Sequence, residues 1–272
     1  KQCKNAEKHL LQATTLPDGK DLEFETSCGL ARVYSAIARP DKAERELHRA
    51  LRLQPDNLNV GHLLVRLILE RDVAEATALL VKIDKNTTDP KSQILMALIL
   101  ERQGNLEEAC SNLLASIAHV TDAEALLTLA RIRLRQGLPD LAAQALEGLP
   151  DIHDPILMAQ EWRVRGECAS TLKNWSQART AYLHLLGTLP EDADALVGLG
   201  VAELELGHAD VASGFLLQAM PHLATRGRAL LGIGRLHAER DDVSGARHFL
   251  EESLRANTNA TDQSRAHLEL AR

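Results

Sequence analysis

Apolar residues recur three and four positions apart along most of the chain, the spacing that places them on one face of a helix. In the segment 58–69, for example, Leu64, Leu67 and Ile68 fall on the same side of a helix. Alternating runs of β-branched residues, which would indicate strands, are scarce. The pattern therefore predicts an all-α protein.

The stretch from Gly104 to Ala109 shows how two such helices are joined. Glycine readily adopts the left-handed conformation that ends a helix, and Asn105 is a favourable cap for the next one. Glu107 and Glu108 then fall where the start of a helix favours negative charge. Ala109 is small, so we predict that two helices cross closely at this residue.

The same alanine recurs along the chain at a nearly constant interval. The recurring positions are Ala6, Ala43, Ala76, Ala109, Ala142, Ala178, Ala212 and Ala246. The gaps between them are 37, 33, 33, 33, 36, 34 and 34 residues. A period of this length predicts an array of helix pairs, in which each pair buries its apolar face against its neighbours.

The residues around these alanines resemble the tetratricopeptide repeat. In the segment 24–57 the family's characteristic positions are filled by Leu30, Ala31, Tyr34, Ala43, Leu47, Ala50 and Pro55. In the segment 159–192 they are filled by Trp162, Gly166, Ala178, Tyr182 and Pro190. The resemblance implies a right-handed α-solenoid of stacked antiparallel helix pairs, with the first helix of each pair on the concave face.

The period divides the chain into seven predicted repeats, 24–57, 58–89, 90–122, 123–158, 159–192, 193–226 and 227–260. The repeat 58–89 is degenerate, since its turn at 70–73 lacks glycine. Segment 1–23 is expected to hold the second helix of a truncated repeat and a linker, and 261–272 part of a further first helix. We therefore expect a fragment of a longer protein. The connection 149–155 carries two prolines, which predicts a bend or a division into two halves there.

Composition and charge narrow the possible functions. The formal net charge of -7 argues against non-specific nucleic-acid binding. No apolar run is long enough to cross a membrane, so no direct membrane insertion is predicted for this chain. Four cysteines, Cys3, Cys28, Cys110 and Cys168, have no metal-binding spacing and are predicted to be reduced thiols. The repeats, rich in alanine and leucine, are typical of bacterial arrays, and both periplasm and cytoplasm stay open.

Motifs that would indicate catalysis are missing from the sequence. Eleven histidines are scattered over different repeats without the HExxH spacing of a zinc site. The Gly-x-Gly stretches 198–200 and 232–234 lie inside predicted helices, where glycine suits close packing better than phosphate binding. Sequons at Asn86, Asn174 and Asn259 are short enough to arise by chance. We predict no catalytic, cofactor-binding or metal-binding residue, and no enzyme.

Ligands of the tetratricopeptide family usually contact the concave positions of the first helices. The ninth position is arginine in four repeats, Arg32, Arg66, Arg131 and Arg235. Other concave candidates are His62, Arg102, Arg135, Arg163 and Arg228, with apolar Ile94, Leu98, Leu127, Val197 and Val201 between them. Because arginine suits carboxylates, this pattern predicts a protein or peptide partner with acidic and apolar residues. Alternatively, the arginines pair with acids such as Glu70, Glu101, Glu167 or Glu239, and the apolar residues pack between helices.

This interpretation of the sequence predicts three alternative functions. The first is a non-enzymatic scaffold that binds a protein partner in its concave groove. The second is a structural spacer in a larger cell-envelope export or polysaccharide-secretion machine. The third is an accessory domain of an enzyme that lies outside this chain. The carboxylate clamp of tetratricopeptide co-chaperones is absent, because no asparagine stands at the ninth position.

Overall fold

In the computed structural model, every regular element among the described residues is an α-helix. The structure describes residues 2–13, 22–85, 89–256 and 259–271, and no strand occurs within these ranges. The prediction of an all-α protein is confirmed. Most of the linker predicted within 1–23, the Asn86 sequon and the side chain of Cys3 lie outside the described residues.

The chain forms two compact units, residues 1–128 (unit 1) and 129–272 (unit 2). Unit 1 contains α1 (Gln2–Ala13), α2 (Glu23–Ala36), α3 (Pro40–Leu53), α4 (Leu58–Leu69), α5 (Val73–Ile83), α6 (Pro90–Gln103), α7 (Leu106–His119) and the start of α8 (Ala123–Arg135). Unit 2 contains the rest of α8, then α9 (Pro139–Glu147), α10 (Pro155–Thr171), α11 (Trp175–Thr188), α12 (Ala193–Glu205), α13 (Ala209–Ala219), α14 (Leu223–Glu239), α15 (Val243–Ala256) and α16 (Ala260–Leu270).

The boundary between the units lies inside α8, not in the connection 149–155 where the prolines predicted a division. The second proline, Pro155, instead begins a helix, where its missing N–H is no loss. Asp154 caps that helix, since its carboxylate accepts hydrogen bonds from the backbone N–H groups of Ile156 at 2.7 Å and Leu157 at 3.2 Å. The last residues of the connection 149–155 therefore form the capped start of α10.

Each of α2, α4, α6, α10, α12 and α14 is the first helix of a pair and packs against the odd-numbered helix that follows. Within unit 2, each of α10, α12 and α14 also contacts the next first helix, and α4 contacts α6 in unit 1. Among the described residues, successive second helices do not pack on one another to the same extent. The first helices therefore lie on the inner side of the curve within each unit, which makes each unit an α-solenoid. The right-handed superhelix stays a prediction.

Seven of the eight recurring alanines are buried at the crossing points that their spacing predicts, and Ala6 is half-buried. Six of them are fully buried, Ala43, Ala76, Ala109, Ala142, Ala178 and Ala212, and Ala246 is 7% exposed. Five residues before an anchor alanine, the backbone is left-handed at Ala38, Gly104, Gly137, Lys173, Gly207 and Asp241. Asn105 occupies the N-cap of α7 as predicted, but its side chain makes no capping hydrogen bond.

Glycines allow the first helices to approach the second helices closely. A Cβ atom added at Gly166 or Gly198 would lie 2.6 or 2.4 Å from the ring of Tyr182. That ring is buried between α10 and α12, and burial raises the pKa of Tyr182 to about 12. A Cβ at Gly200 or Gly232 would meet Leu216, at 2.7 or 2.8 Å. The two Gly-x-Gly stretches are therefore packing sites, as predicted.

Candidate functional site

Three predicted arginines lie exposed on the first helices of unit 1. Arg32 on α2 makes no ion pair with any residue that the structure describes. Arg66 on α4 pairs with Glu124 at 2.6 Å, and Arg102 on α6 pairs with Glu70 at 2.8 Å. The Arg66 and Arg102 side chains remain 51% and 46% exposed. All three guanidinium groups are therefore open to a ligand from solvent.

His62 does not belong to this exposed surface, contrary to the prediction. It is only 7% exposed, because α6 packs against α4 at this point. Its Nε2 atom lies 2.8 Å from the Ser92 hydroxyl and 3.8 Å from the Asp89 carboxylate. Burial lowers the pKa of His62 below its ordinary 6.5. The His62 side chain therefore packs between α4 and α6.

The apolar side chains predicted to bind a partner divide into buried and half-buried ones. Ile94, Leu127 and Val197 are at most 4% exposed, so almost none of their surface is accessible to a ligand. Their side chains are covered because first helices pack side by side. Leu98 and Val201 are half-buried and keep part of their surface accessible.

The arginines of unit 2 are held by carboxylates on neighbouring first helices. Arg163 on α10 donates two hydrogen bonds to Asp192, at 3.2 and 2.5 Å, where Asp192 also caps α12. Arg228 on α14 pairs with Asp194 on α12. These contacts agree with the alternative interpretation, internal pairing.

Arg235 completes this pattern further along unit 2. Its guanidinium on α14 lies 2.6 Å from Glu205 on α12 and 3.7 Å from Glu269 on α16. Three successive first helices thus meet at one arginine. The acids that form ion pairs with Arg163, Arg228 and Arg235 are not the ones named from the sequence, because that choice depends on how the helices stack.

The remaining candidates are Arg131 and Arg135, both exposed on α8. Arg131 acts electrostatically on Glu167, a carboxylate that solvent reaches from the inner face of α10. Neighbouring protein atoms desolvate that carboxylate and raise the pKa of Glu167, while Arg163 and Arg131 oppose the shift. Glu167 is thus a member of the charged inner face of unit 2.

The sequence reading missed a buried acid on α12. Glu203 is 2% exposed and accepts hydrogen bonds from Arg179 at 2.7 Å and, in one tautomer, from His208 at 2.6 Å. Burial alone would raise the pKa of Glu203, but these hydrogen bonds outweigh it and lower the pKa below 4.5. The next repeat carries the reversed pair, His237 with Asp242, at 2.8 Å. In each of these two pairs, a histidine and an acid stand five residues apart across a turn. That spacing could have indicated both pairs from the sequence.

The sequence reading also missed a groove on the outer side of unit 2. It has a volume of about 500 Å³ and lies between α9 and α11, with α10 as its floor. Trp162 lines one end and stacks on His184, with ring centroids 4.3 Å apart and planes inclined by 15°. We call this space the outer groove.

The described part of the chain holds no group of three histidine, cysteine, aspartate or glutamate side chains that could bind a metal ion. None of its helices combines the length and the apolar character that a membrane span requires. Cys28, Cys110 and Cys168 form no disulfide with one another.

Comparison with protein families found one match. The model described as tetratricopeptide repeat matches residues 94–154 and 169–219. The comparison with curated proteins found no significant match.

Solved structures resemble the chain more broadly. A tetratricopeptide repeat protein from Parabacteroides merdae has 12% sequence identity and a TM-score of 0.55, over 91% of this chain and 99% of that one. PilF from Pseudomonas aeruginosa has 16% identity and a TM-score of 0.63, over 78% and 96%. YrrB, described as a tetratricopeptide protein with an unusual peptide-binding site, has 15% identity and a TM-score of 0.52, over 73% and 98%. At these identities the likeness shows the fold.

The family match, the buried anchor alanines and the paired helices agree with one another. The chain carries matches to the tetratricopeptide repeat over residues 94–154 and 169–219, and it has the fold of tetratricopeptide repeat structures.

Proposed function

We propose that the chain is a protein-interaction scaffold and that the first helices of unit 1 bind an acidic segment of a partner protein. The observation that carries this proposal is the exposure of Arg32, Arg66 and Arg102 on three successive first helices. The fold supports the scaffold class, because tetratricopeptide arrays present an extended concave surface to other proteins. YrrB, one of the similar structures, is described by its peptide-binding site.

The ion pairs of these arginines are easily replaced. Arg66 and Glu124 are 51% and 27% exposed, and Arg102 and Glu70 are 46% and 70% exposed. Solvent-exposed pairs of this kind contribute only about 0–1 kcal/mol. A carboxylate of the partner can therefore replace Glu124 or Glu70 at little cost, and Arg32 can bind one without displacing any described acid.

The chemistry of the surface defines the partner. Arginine presents a planar fork that binds carboxylates through two parallel hydrogen bonds. Leu98, half-buried on α6, offers an apolar contact on the same row of helices. The partner is therefore a segment in which acidic residues flank an apolar side chain. In unit 2, by contrast, Arg163, Arg228 and Arg235 connect neighbouring first helices.

Charge reversal tests this proposal. The chain with Arg32→Glu, Arg66→Glu and Arg102→Glu is compared in affinity capture with a control in which Arg45 and Arg52 on α3 become glutamate. Arg45 and Arg52 are also exposed, but they lie on a second helix. We expect the inner-face variant to retain at least about tenfold less partner than wild type does. The control should retain as much partner as wild type. Equal retention by both variants, with unchanged helicity, would contradict the proposal.

The spacer function keeps one supporting observation, the outer groove, which offers a contact surface away from the inner face. Substitutions in that groove that disrupt an assembly, while the inner-face variant leaves it intact, would favour the spacer. The cell-envelope setting and the role as an enzyme's accessory domain stay predictions.

A further inference from the structure

Apart from Glu147 and Arg165, the side chains that line the outer groove are apolar or uncharged. Leu146 of α9, Cys168 and Ala169 of α10, and Ala181 of α11 line it and are buried in the folded chain. Leu172 also lines it and is 41% exposed, so the groove retains an open apolar surface. Burying this surface against another protein would remove apolar area from water.

One wall of the groove contains Ser176 and Thr180, and the same row of α11 continues beyond the groove with the spacing of a helix-packing seam. Ser176, Thr180, Leu183 and Gly187 follow one another on α11 at intervals of four, three and four residues, and all four are exposed and uncharged. This is the spacing with which one helix packs along another. Nothing in the described chain lies within 4 Å of a Cβ built at Gly187, so that position is open to another backbone.

The charged side chains around the groove fall into two sets, arginines that are held in ion pairs and the acids of α9. The charged residue of α11, Arg179, is held by Glu203 on α12, and Arg165 in the floor is held by Glu161 at 2.8 Å. On α9, the charged residues are Asp140 and Glu147, both exposed, and neither forms an ion pair with a described residue. Glu147 lines the groove, and Asp140 acts electrostatically on Cys168 in its floor. The rim formed by α9 is therefore acidic and complementary to a basic ligand.

The size of the groove argues against a second copy of the chain as its occupant. Twelve residues line it. A stable protein–protein interface uses about 20–30 residues on each side. A single helix laid beside α11 fits the smaller surface and uses recognition by an amphipathic helix in a groove.

We propose that the outer groove binds one amphipathic helix of a partner protein, with apolar side chains in the groove and basic side chains beside Asp140 and Glu147. This site lies in unit 2, between the second helices α9 and α11 and over α10, whereas the arginine surface lies on the first helices of unit 1. It does not rest on the function proposed above.

Two labelled peptides test the site directly. Each is an amphipathic helix of about four turns with an alanine and leucine stripe, flanked by lysine in one peptide and by glutamate in the other. Fluorescence anisotropy with the whole chain measures both affinities. We expect the lysine peptide to bind at least about tenfold more tightly than the glutamate peptide. The absence of binding, or equal binding of the two peptides, would overturn the proposal.

Matched variants locate the binding. Thr180→Arg places a charge on the groove wall, and Ser111→Arg makes the same change at the corresponding exposed position of α7. Both hydroxyls donate to the carbonyl four residues earlier, Thr180 at 3.0 Å and Ser111 at 3.1 Å, so both variants lose the same local bond. We expect Thr180→Arg to weaken lysine-peptide binding at least about tenfold and Ser111→Arg to leave it unchanged. Equal effects of the two would overturn the proposal.

A charge exchange and a measurement of mass complete the test. Asp140→Lys with Glu147→Lys should reverse the preference, so that the glutamate peptide binds more tightly. An unreversed preference would contradict the role of the acidic rim. Sedimentation of the free chain gives its oligomeric state. A wild-type dimer that Thr180→Arg dissociates would place a second copy in the groove and overturn the partner helix.

Discussion

The two faces of unit 2 use charge in different ways. On the inner face, Arg163, Arg228 and Arg235 each meet a carboxylate on a neighbouring first helix. In the outer groove, the exposed seam of α11 is uncharged, and the acids on the α9 rim make no ion pair with a described residue. The inner face, which carries more charge, therefore pairs its charged side chains internally, whereas the acids at the outer groove are left without such pairs among the described residues. A recurring arginine in a repeat array can therefore join repeats and need not mark a ligand.

Removing the partner of Arg163 should have the largest effect. Asp192→Ala removes the α12 cap, in which Asp192 accepts from the Ala195 N–H at 2.9 Å, together with the bond to Arg163. A cap contributes about 1 kcal/mol and a hydrogen bond to a charged group about 1.5–3 kcal/mol, so we expect a loss of about 2–4 kcal/mol. Urea denaturation measures it. Asp154→Ala, which removes a cap without an arginine, is the control and should lose about 1 kcal/mol. Equal losses would show that the inner ion pair is unimportant.

The packing glycines give the next largest effect. Gly198→Ala would force a methyl group against the ring of Tyr182, which overpacks the core and should cost about 1–3 kcal/mol. Gly214→Ala, on the exposed side of α13 where no described atom lies within 4 Å, should stabilise the chain by up to about 1 kcal/mol. Thermal unfolding of both variants measures the difference. Destabilisation by both would contradict the distinction between a packed inner side and an open outer side.

The buried Glu203 predicts a dependence on pH. Its folded-state pKa is lower than its ordinary 4.5, so its contribution to stability is complete above pH 4.5 and is lost as the pH falls through the lowered value. Glu203→Gln removes the charge and should cost about 1–2 kcal/mol at neutral pH, because its bonds to Arg179 and His208 weaken. The difference in unfolding free energy between wild type and variant should shrink below pH 4.5. A difference that stays constant down to pH 3 would contradict the assignment.

The smallest effect is expected at an exposed pair. Arg228→Ala removes the ion pair with Asp194, whose side chains are 39% and 57% exposed. Such a pair contributes about 0–1 kcal/mol, and added salt should reduce that difference further. Denaturation at low and high ionic strength measures it. A loss above about 2 kcal/mol would show that inner pairs stabilise the stack more strongly than exposed pairs do.

The periodicity of the sequence was enough to predict the helices, their pairing and the alanine crossings, since these depend on residues close together along the chain. Ala109 and Gly104 occupy the predicted places for that reason. The contacts of Arg66 with Glu124 and of Arg163 with Asp192 depend on how separate helices stack, which a period does not specify. The outer groove is likewise a product of three helices together, so no single repeat indicates it.

The central claim, that exposed arginines on the first helices of unit 1 bind an acidic partner, is tested most directly by arginine footprinting. A dicarbonyl reagent modifies exposed guanidinium groups, and mass spectrometry compares the chain alone with the chain bound to its captured partner. We expect protection of Arg32, Arg66 and Arg102, with Arg45 and Arg52 modified equally in both states. Protection of Arg45 and Arg52 while the three inner-face arginines stay reactive would contradict it.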